Sequence, residues 1–360
     1  MRFAARHAFR RAALAPLLAA VTLSACGERS ARPAAADSQA LVLARRVGDT
    51  RDLVWVRLSD GAERGLRETP RRDEAWPYWS AGAGRIVFQV RPLDARRLYR
   101  LLLLDPVTRR ETPLTRQPAL HEHWPVWSPD GSRVVYSFSE RDRRGIAAVE
   151  VASRRRTVLE STDHQDGFSR PEFAPDGRRL VAQRGAVAAA TRLWILEPGR
   201  AARPLTAAAD GLQEKGRFTR DGDWVVFTAR PSRDAPGELW IVRPDGSDGR
   251  AVASDPDADD HTADPSPTRD ELAFISDRDG SQDLFVADLS GGPARNLSRT
   301  PDREERAPHW SPDGERIVVT AFAGDAVAER RETRVVVMDR QGTVLLDVPG
   351  AMPDWMPAFE

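Results

Sequence analysis

One short pattern returns seven times along this chain, and it constrains the fold more than any other feature. It is clearest in "EHWPVWSPDGSRVVYSFS", "SRPEFAPDGRRLVAQRG" and "APHWSPDGERIVVTAFA", with weaker copies in "AWPYWSAGAGRIVFQV", "KGRFTRDGDWVVFTAR" and "TADPSPTRDELAFISD". Starts marked by Pro77, Pro125, Pro171, Gly216, Pro265, Pro308 and Pro353 lie 43 to 49 residues apart. That spacing is the length of a four-stranded propeller blade, a unit that cannot bury its apolar faces alone and must stack on its neighbours.

Each unit parses into local chemistry. A short strand ends in an aromatic (Trp79, Trp127, Phe173, Phe218, Trp310, Trp355). Ser-Pro-Asp-Gly then turns the chain, Pro presetting φ and Asp-Gly serving the tight end. Second strands such as "VVYSFS" and "IVVTAF", and third strands such as "LWIVR" and "LFVADL", are rich in β-branched and aromatic residues. Most third strands run into a Gly or Asp turn, and a fourth strand such as "ARPLT" or "ARNLS" closes the unit.

Every strand type occurs seven times, but the order is offset: the series opens with a second strand at Leu41 and closes with a first strand in "AMPDWMPAFE". The expectation is an all-β, seven-bladed β-propeller of four-stranded antiparallel blades over residues 40–360. Its C-terminal strand pairs into the N-terminal blade, so that no open edge is left.

Ahead of the repeats, residues 1–25 read as an export signal, with Arg2, Arg6, Arg10 and Arg11 before the apolar run "AALAPLLAAVTL". That run is too short for a permanent span. It ends in "LSAC", which resembles the lipobox of bacterial lipoproteins, and Cys26 is the chain's single cysteine. Lipidation at Cys26 is therefore expected, with residues 26–39 as a flexible tether poor in apolar bulk. By resemblance to lipoprotein sorting in Gram-negative bacteria, Gly27 after the cysteine implies outer-membrane attachment facing the periplasm. The precursor carries 54 basic and 54 acidic residues, and without the four signal arginines the balance is 50 to 54. A nucleic-acid partner, which needs concentrated positive charge, is not expected. Lys215 is the only lysine.

The Pro-x-Trp-Ser-Pro-Asp-Gly step, followed by "SDRDGSQDLFVADLSGG" and "ARNLS", resembles the repeat of the TolB-type (WD40-like) β-propellers from about residue 40 to 357. The resemblance implies the propeller fold, and as function a non-catalytic envelope scaffold presenting loops to an envelope protein or a peptidoglycan-associated partner. The same repeat also occurs in propellers fused to prolyl-oligopeptidase-type hydrolases and in oligogalacturonate lyases. Within this sequence only the tether precedes the first blade, unlike TolB with its α/β domain. The Gly-x-Ser-x-Gly elbow of the hydrolases is not found.

Residues just before each strand-start Pro are expected at the axial mouth. They are Asp73 and Glu74, then His121, Glu122 and His123, then Phe168, Gln213 and Glu214, His261, and Glu304 and Glu305. His121 and His123 are two apart and share a face of an extended segment, so with His261 they are candidate metal ligands. No cofactor is expected all the same, because polar loops at an axial channel are ordinarily solvated. Asp277 to Asp283 spaces its carboxylates like a Ca²⁺ loop but falls where the repeat demands a hairpin, and Asp255 to Asp264 reads as a solvated acidic loop. The leading functional expectation is thus the scaffold, with no enzyme activity. The alternatives are a metal-dependent lyase or binder of acidic polysaccharide with Arg at the mouth, and a ligand or peptide sensor.

Overall fold

The computed structural model describes residues 39–67, 69–93, 98–116, 121–163, 166–185, 191–206, 211–253, 255–323 and 333–358. The expected signal, Cys26 and all but the last residue of the tether lie outside these. Seven four-stranded antiparallel sheets form seven blades, each meandering outward from the axis. The innermost strands, blades one to seven, are Ala351–Met356, Arg72–Ser80, His121–Trp127, Gly167–Phe173, Leu212–Phe218, His261–Pro265 and Arg303–Trp310. In blade one the C-terminal strand pairs antiparallel with Ala40–Val47, setting Leu41 opposite Trp355 and Val42 opposite Asp354. The expected closure is present.

Second strands are buried on both faces, as Ala40 through Ala44 show, because each sheet is sandwiched between two others. The core is accordingly a ring of interfaces. Val42, Leu53 and Trp55 of blade one pack with Ile86, Phe88 and Leu104 of blade two. Leu41 and Trp355 of blade one pack with Val318 and Val335 of blade seven. Each fully buried side chain of this kind is worth about 1.5–3 kcal/mol, so blade-to-blade contact carries the stability.

The strand-one tryptophans are part of this core and also tie blades together. Trp127 Nε1 donates to Tyr78 O at 2.9 Å, Trp310 Nε1 to Asp264 O at 3.0 Å, and Trp355 Nε1 to His309 O at 3.2 Å. In every case the acceptor is on the innermost strand of the preceding blade. The Asp-Gly turns interlock as well. Gly131 adopts φ 71°, and a Cβ there would sit 2.5 Å from the Ala83 backbone nitrogen of blade two. Outermost strands are uneven, from two residues (Arg203–Pro204) to eight (Arg156–Asp163).

Blade six corrects the sequence alignment. Ala263, not Pro265, stands where the other blades place Pro77, Pro125 and Pro308, and Pro265 takes the place of the aromatic. The pairing register shows why: the irregularity falls between His261 and Asp264, as it does between Arg306 and His309 in blade seven.

Candidate functional site at the axial mouth

Each innermost strand carries the same distortion. Trp76, Trp124, Arg170, Lys215, Thr262, Ala307 and Met352 all have φ between 48° and 55°, in the left-handed region. In blades two to seven a bulge in the ladder to the second strand coincides with them. Five of the seven precede a proline, which disfavours helical backbone of the residue before it. Thr262 is β-branched, for which this conformation is a genuine outlier. The bulge re-aims the strand, and all seven residues line one central cavity of about 910 Å³. A second layer, two residues further on, adds Tyr78, Val126, Glu172, Arg217 and His309.

Two residues before each bulge the chemistry reverses. Glu74, Glu122, Gln213, Asp260 and Glu305 are at most 2% exposed, inside the wall of the ring. There all but Asp260, which binds Arg278 of its own blade, satisfy the preceding blade. Glu74 Oε2 accepts from Leu53 N at 3.2 Å, Glu122 Oε2 from Leu101 N at 3.1 Å, and Gln213 Oε1 from Leu193 N at 3.2 Å. A threonine binds the other oxygen or the amide: Thr69 with Glu74, Thr115 with Glu122, Thr206 with Gln213, and Thr300 with Glu305. Burial pushes Glu305 up to about 7, and raises Glu74 despite the opposing Arg72. The structure therefore moves Glu74, Glu122 and Glu305 from the mouth, where the sequence reading set them, into the wall. Phe168 occupies the wall position in blade four and is buried against Trp194.

The remaining predicted residues sit nearer the opening. Asp73 lines the cavity and binds Arg51 at 2.6 and 2.9 Å, with Arg91 at 3.4 Å. Burial alone would raise its pKa, but Arg51 outweighs burial and holds it low. Glu304 pairs with Arg306 at 3.3 Å, and Glu214 is half-buried beside Arg230 at 3.9 Å. His121 and His123 stack at 5.8 Å, with Tyr99 4.8 Å and Trp124 5.5 Å from the His123 ring. Burial and the neighbouring His121 lower His123 to about 4. His261 lies three blades away, and among the described residues no three His, Cys, Asp or Glu groups converge as a metal cage requires. The candidate trio is not brought together: His121 and His123 stack on one another and His261 stands apart.

Sequence reasoning missed what His261 does join. Thr262 Oγ1 is 2.5 Å from Lys215 Nζ of blade five and 2.8 Å from His261 Nδ1. Burial, then the nearby Arg170, bring Lys215 down to about 8. Burial, then the Lys215 charge, bring His261 down to about 4. Lower in the channel Arg217 binds Asp264 at 2.5 Å and stays charged. Among the described residues Arg46, Arg170 and Lys215 line the cavity without an ion pair, and Arg170 lies 4.7 Å over the Trp124 ring. The sequence signal for Arg170 and Lys215 was the residue directly before the strand start, Pro171 or Gly216, whereas the sequence reading took residues at least two places further from the start, except at Glu214 and His123, which stand one place further.

No family model matches the chain. Over 71 residues it is 42% identical to a protein named uncharacterized peptidase YuxL of Bacillus subtilis (strain 168), which is 19% of this chain and 11% of that protein. The chain thus spans about a tenth of that relative's length. Among solved structures it is similar to one of two prolyl endopeptidases, with 14% identity, 88% of this chain, 49% of that chain and a TM-score of 0.67. It is also similar to an oligogalacturonate lyase in complex with manganese, with 15% identity, 82% of this chain, 85% of that chain and a TM-score of 0.63. TolB from Acinetobacter baumannii aligns at 16% identity over 89% of this chain and 83% of that one, with a TM-score of 0.54. The chain is thus a seven-bladed propeller whose fold is similar to that found in peptidases and a lyase, TolB being one likeness among them. This corrects the expectation of no enzyme: with peptidases and a lyase among its likenesses, a flat exclusion of catalysis does not hold.

Proposed function

We propose that this propeller recognises an acidic carbohydrate at its axial mouth, as a binding or cleaving module for polyuronate chains. The observation that carries the reading is the pairing of unneutralised cations with aromatic faces in one cavity. Arg46, Arg170 and Lys215 line it without an ion pair among the described residues, together with Trp76, Trp124 and Tyr78. A uronate offers the complement: a carboxylate for a guanidinium and an apolar sugar face for an indole. The similarity to an oligogalacturonate lyase supports the same reading. That lyase was solved with manganese, but among the described residues no three donor groups of this mouth converge on one point, so no step is assigned to a metal here. The scaffold reading has less support, since the unpaired charges sit inside a cavity rather than on an exposed face.

The test is calorimetric titration with an oligogalacturonate and with a neutral oligosaccharide of equal length. Binding of the acidic chain alone is expected, weakened roughly tenfold or more by Arg170→Ala, as loss of a charge-assisted hydrogen bond implies. Equal affinity for both sugars, or none for either, overturns the reading. Release of unsaturated uronate ends would place the module among lyases. Anchoring to the outer membrane through Cys26 belongs to the same proposal. It is supported by "LSAC" and is checked by fatty-acid labelling of wild type against Cys26→Ser.

A further inference from the structure

We propose that Lys215 forms a reversible imine with an anionic aldehyde or keto acid bound in the axial cavity, the reducing end of an acidic sugar being one such carbonyl. The inference rests on the acidic-carbohydrate reading for its choice of sugar, but its chemistry is independent of it.

Three observations carry it. Lys215 is held at a left-handed bulge that points it into the cavity, so its amine is presented to a ligand. Its Nζ lies against Thr262 Oγ1, which in turn lies against His261 Nδ1, a chain of hydrogen bonds leading away from the amine. The surrounding groups are mainly cationic: Arg170 of blade four, Arg230 of blade five and Arg306 of blade seven oppose a charge on it, with Glu214 on the other side and Asp259 bound to Arg230. A lysine desolvated beside other cations gives up its proton near neutrality and becomes a nucleophile. Arg170, which lines the cavity without an ion pair among the described residues, suits a carboxylate on the reacting carbonyl compound.

The step balances without an outside oxidant or reductant. Lys215 releases one proton, which Thr262 can relay to His261. Because the Lys215 charge is among the causes that hold the imidazole low, its loss makes His261 the better acceptor. The nitrogen pair attacks the carbonyl carbon, the C=O pair moves to oxygen, and the oxygen takes a proton from the attached nitrogen. His261 then returns its proton through Thr262 to the carbinolamine hydroxyl, which leaves as water as the C=N bond forms. The net change is ammonium plus carbonyl to iminium plus water.

The single lysine makes the test unambiguous. Full-length protein is incubated at neutral pH with glyoxylate or galacturonic acid, reduced with cyanoborohydride and mapped by mass spectrometry. A mass gain is expected on the peptide holding Lys215, separable from any on the α-amine. It should form on the order of a hundredfold faster than on free Nα-acetyl-lysine, as a neutral fraction set by a pKa near 8 rather than 10.5 requires. Lys215→Arg and Lys215→Gln, each checked for unchanged melting, should lose it. In parallel, binding of an oligogalacturonate already reduced to its alditol, which has no carbonyl, is measured. No adduct from either carbonyl while the alditol still binds overturns the imine and leaves the recognition reading standing. A Lys215 adduct from glyoxylate with no alditol binding supports the imine and overturns the acidic-carbohydrate reading.

Discussion

Two positions on the innermost strands, only two residues apart, behave in opposite ways. At the wall position, five of seven blades place a buried carboxylate or amide, Glu74, Glu122, Gln213, Asp260 and Glu305; all but Asp260, which binds Arg278 of its own blade, bond to the preceding blade. At the bulge position the residues are Trp, Trp, Arg, Lys, Thr, Ala and Met, all strained and all facing the cavity. The wall repeats because every blade must satisfy the backbone of the one before it, a demand set by burial. The bulge varies because its geometry is shared while its side chain faces the cavity and, among the described residues, carries no backbone of the neighbouring blade. Uniform chemistry thus marks what holds the ring, and diverse chemistry on a uniform backbone marks what the ring is for.

The largest expected effect breaks the wall. Glu122→Ala removes the acceptor for Leu101 N and for Thr115 Oγ1, leaving two buried donors and a void. The expected loss is about 3–5 kcal/mol in urea unfolding, with affinity for an acidic sugar unchanged in the fraction that stays folded. A loss under about 1 kcal/mol would show that the wall contacts are incidental.

The next sharpens it by comparing blade seven with blade five. Gln213 donates from Nε2 to Thr206 at 2.8 Å, so an amide serves this position as well as a carboxylate does. In Glu305 the folded pKa of about 7 lies above the unfolded value. The neutral acid therefore contributes stability that is fully present below the unfolded pKa and is lost as pH rises through about 7. Glu305→Gln should match wild type near pH 4. Near pH 8 it should exceed wild type by about 3–4 kcal/mol, the worth of a shift of this size. Parallel stability curves for the two proteins across that range would refute the burial account of Glu305.

The smallest effect tests the bulge. Ala307 is left-handed at φ 51°, and glycine bears that conformation without strain. Ala307→Gly should raise stability by less than about 1 kcal/mol in thermal melts, the relief being partly offset by unfolded-chain entropy. A clear destabilisation would mean that the backbone here is unstrained.

Strand types, their order and the closure at Trp355 were legible because the signals are local: alternation, β-branched runs and Asp-Gly turns act over a few residues and recur seven times. The mouth was only partly legible. Counting upstream from the strand-start Pro found the right strands but took Glu74, Glu122 and Glu305 for mouth residues, because a bulge inserts a residue and changes which side chains face the axis. In blade six, where the aromatic is absent, the count itself slipped from Ala263 to Pro265.

From the sequence alone this protein is a ring of seven blades joined through its last strand, since no other arrangement buries seven such units without an open edge. The tertiary structure alone decided which polar residues of one strand serve the wall and which serve the cavity. It also decided that Lys215 of blade five meets Thr262 and His261 of blade six. Those residues are 47 and 46 positions apart in the chain, and nothing local to either segment encodes the contact, because it arises from the rotation between neighbouring blades.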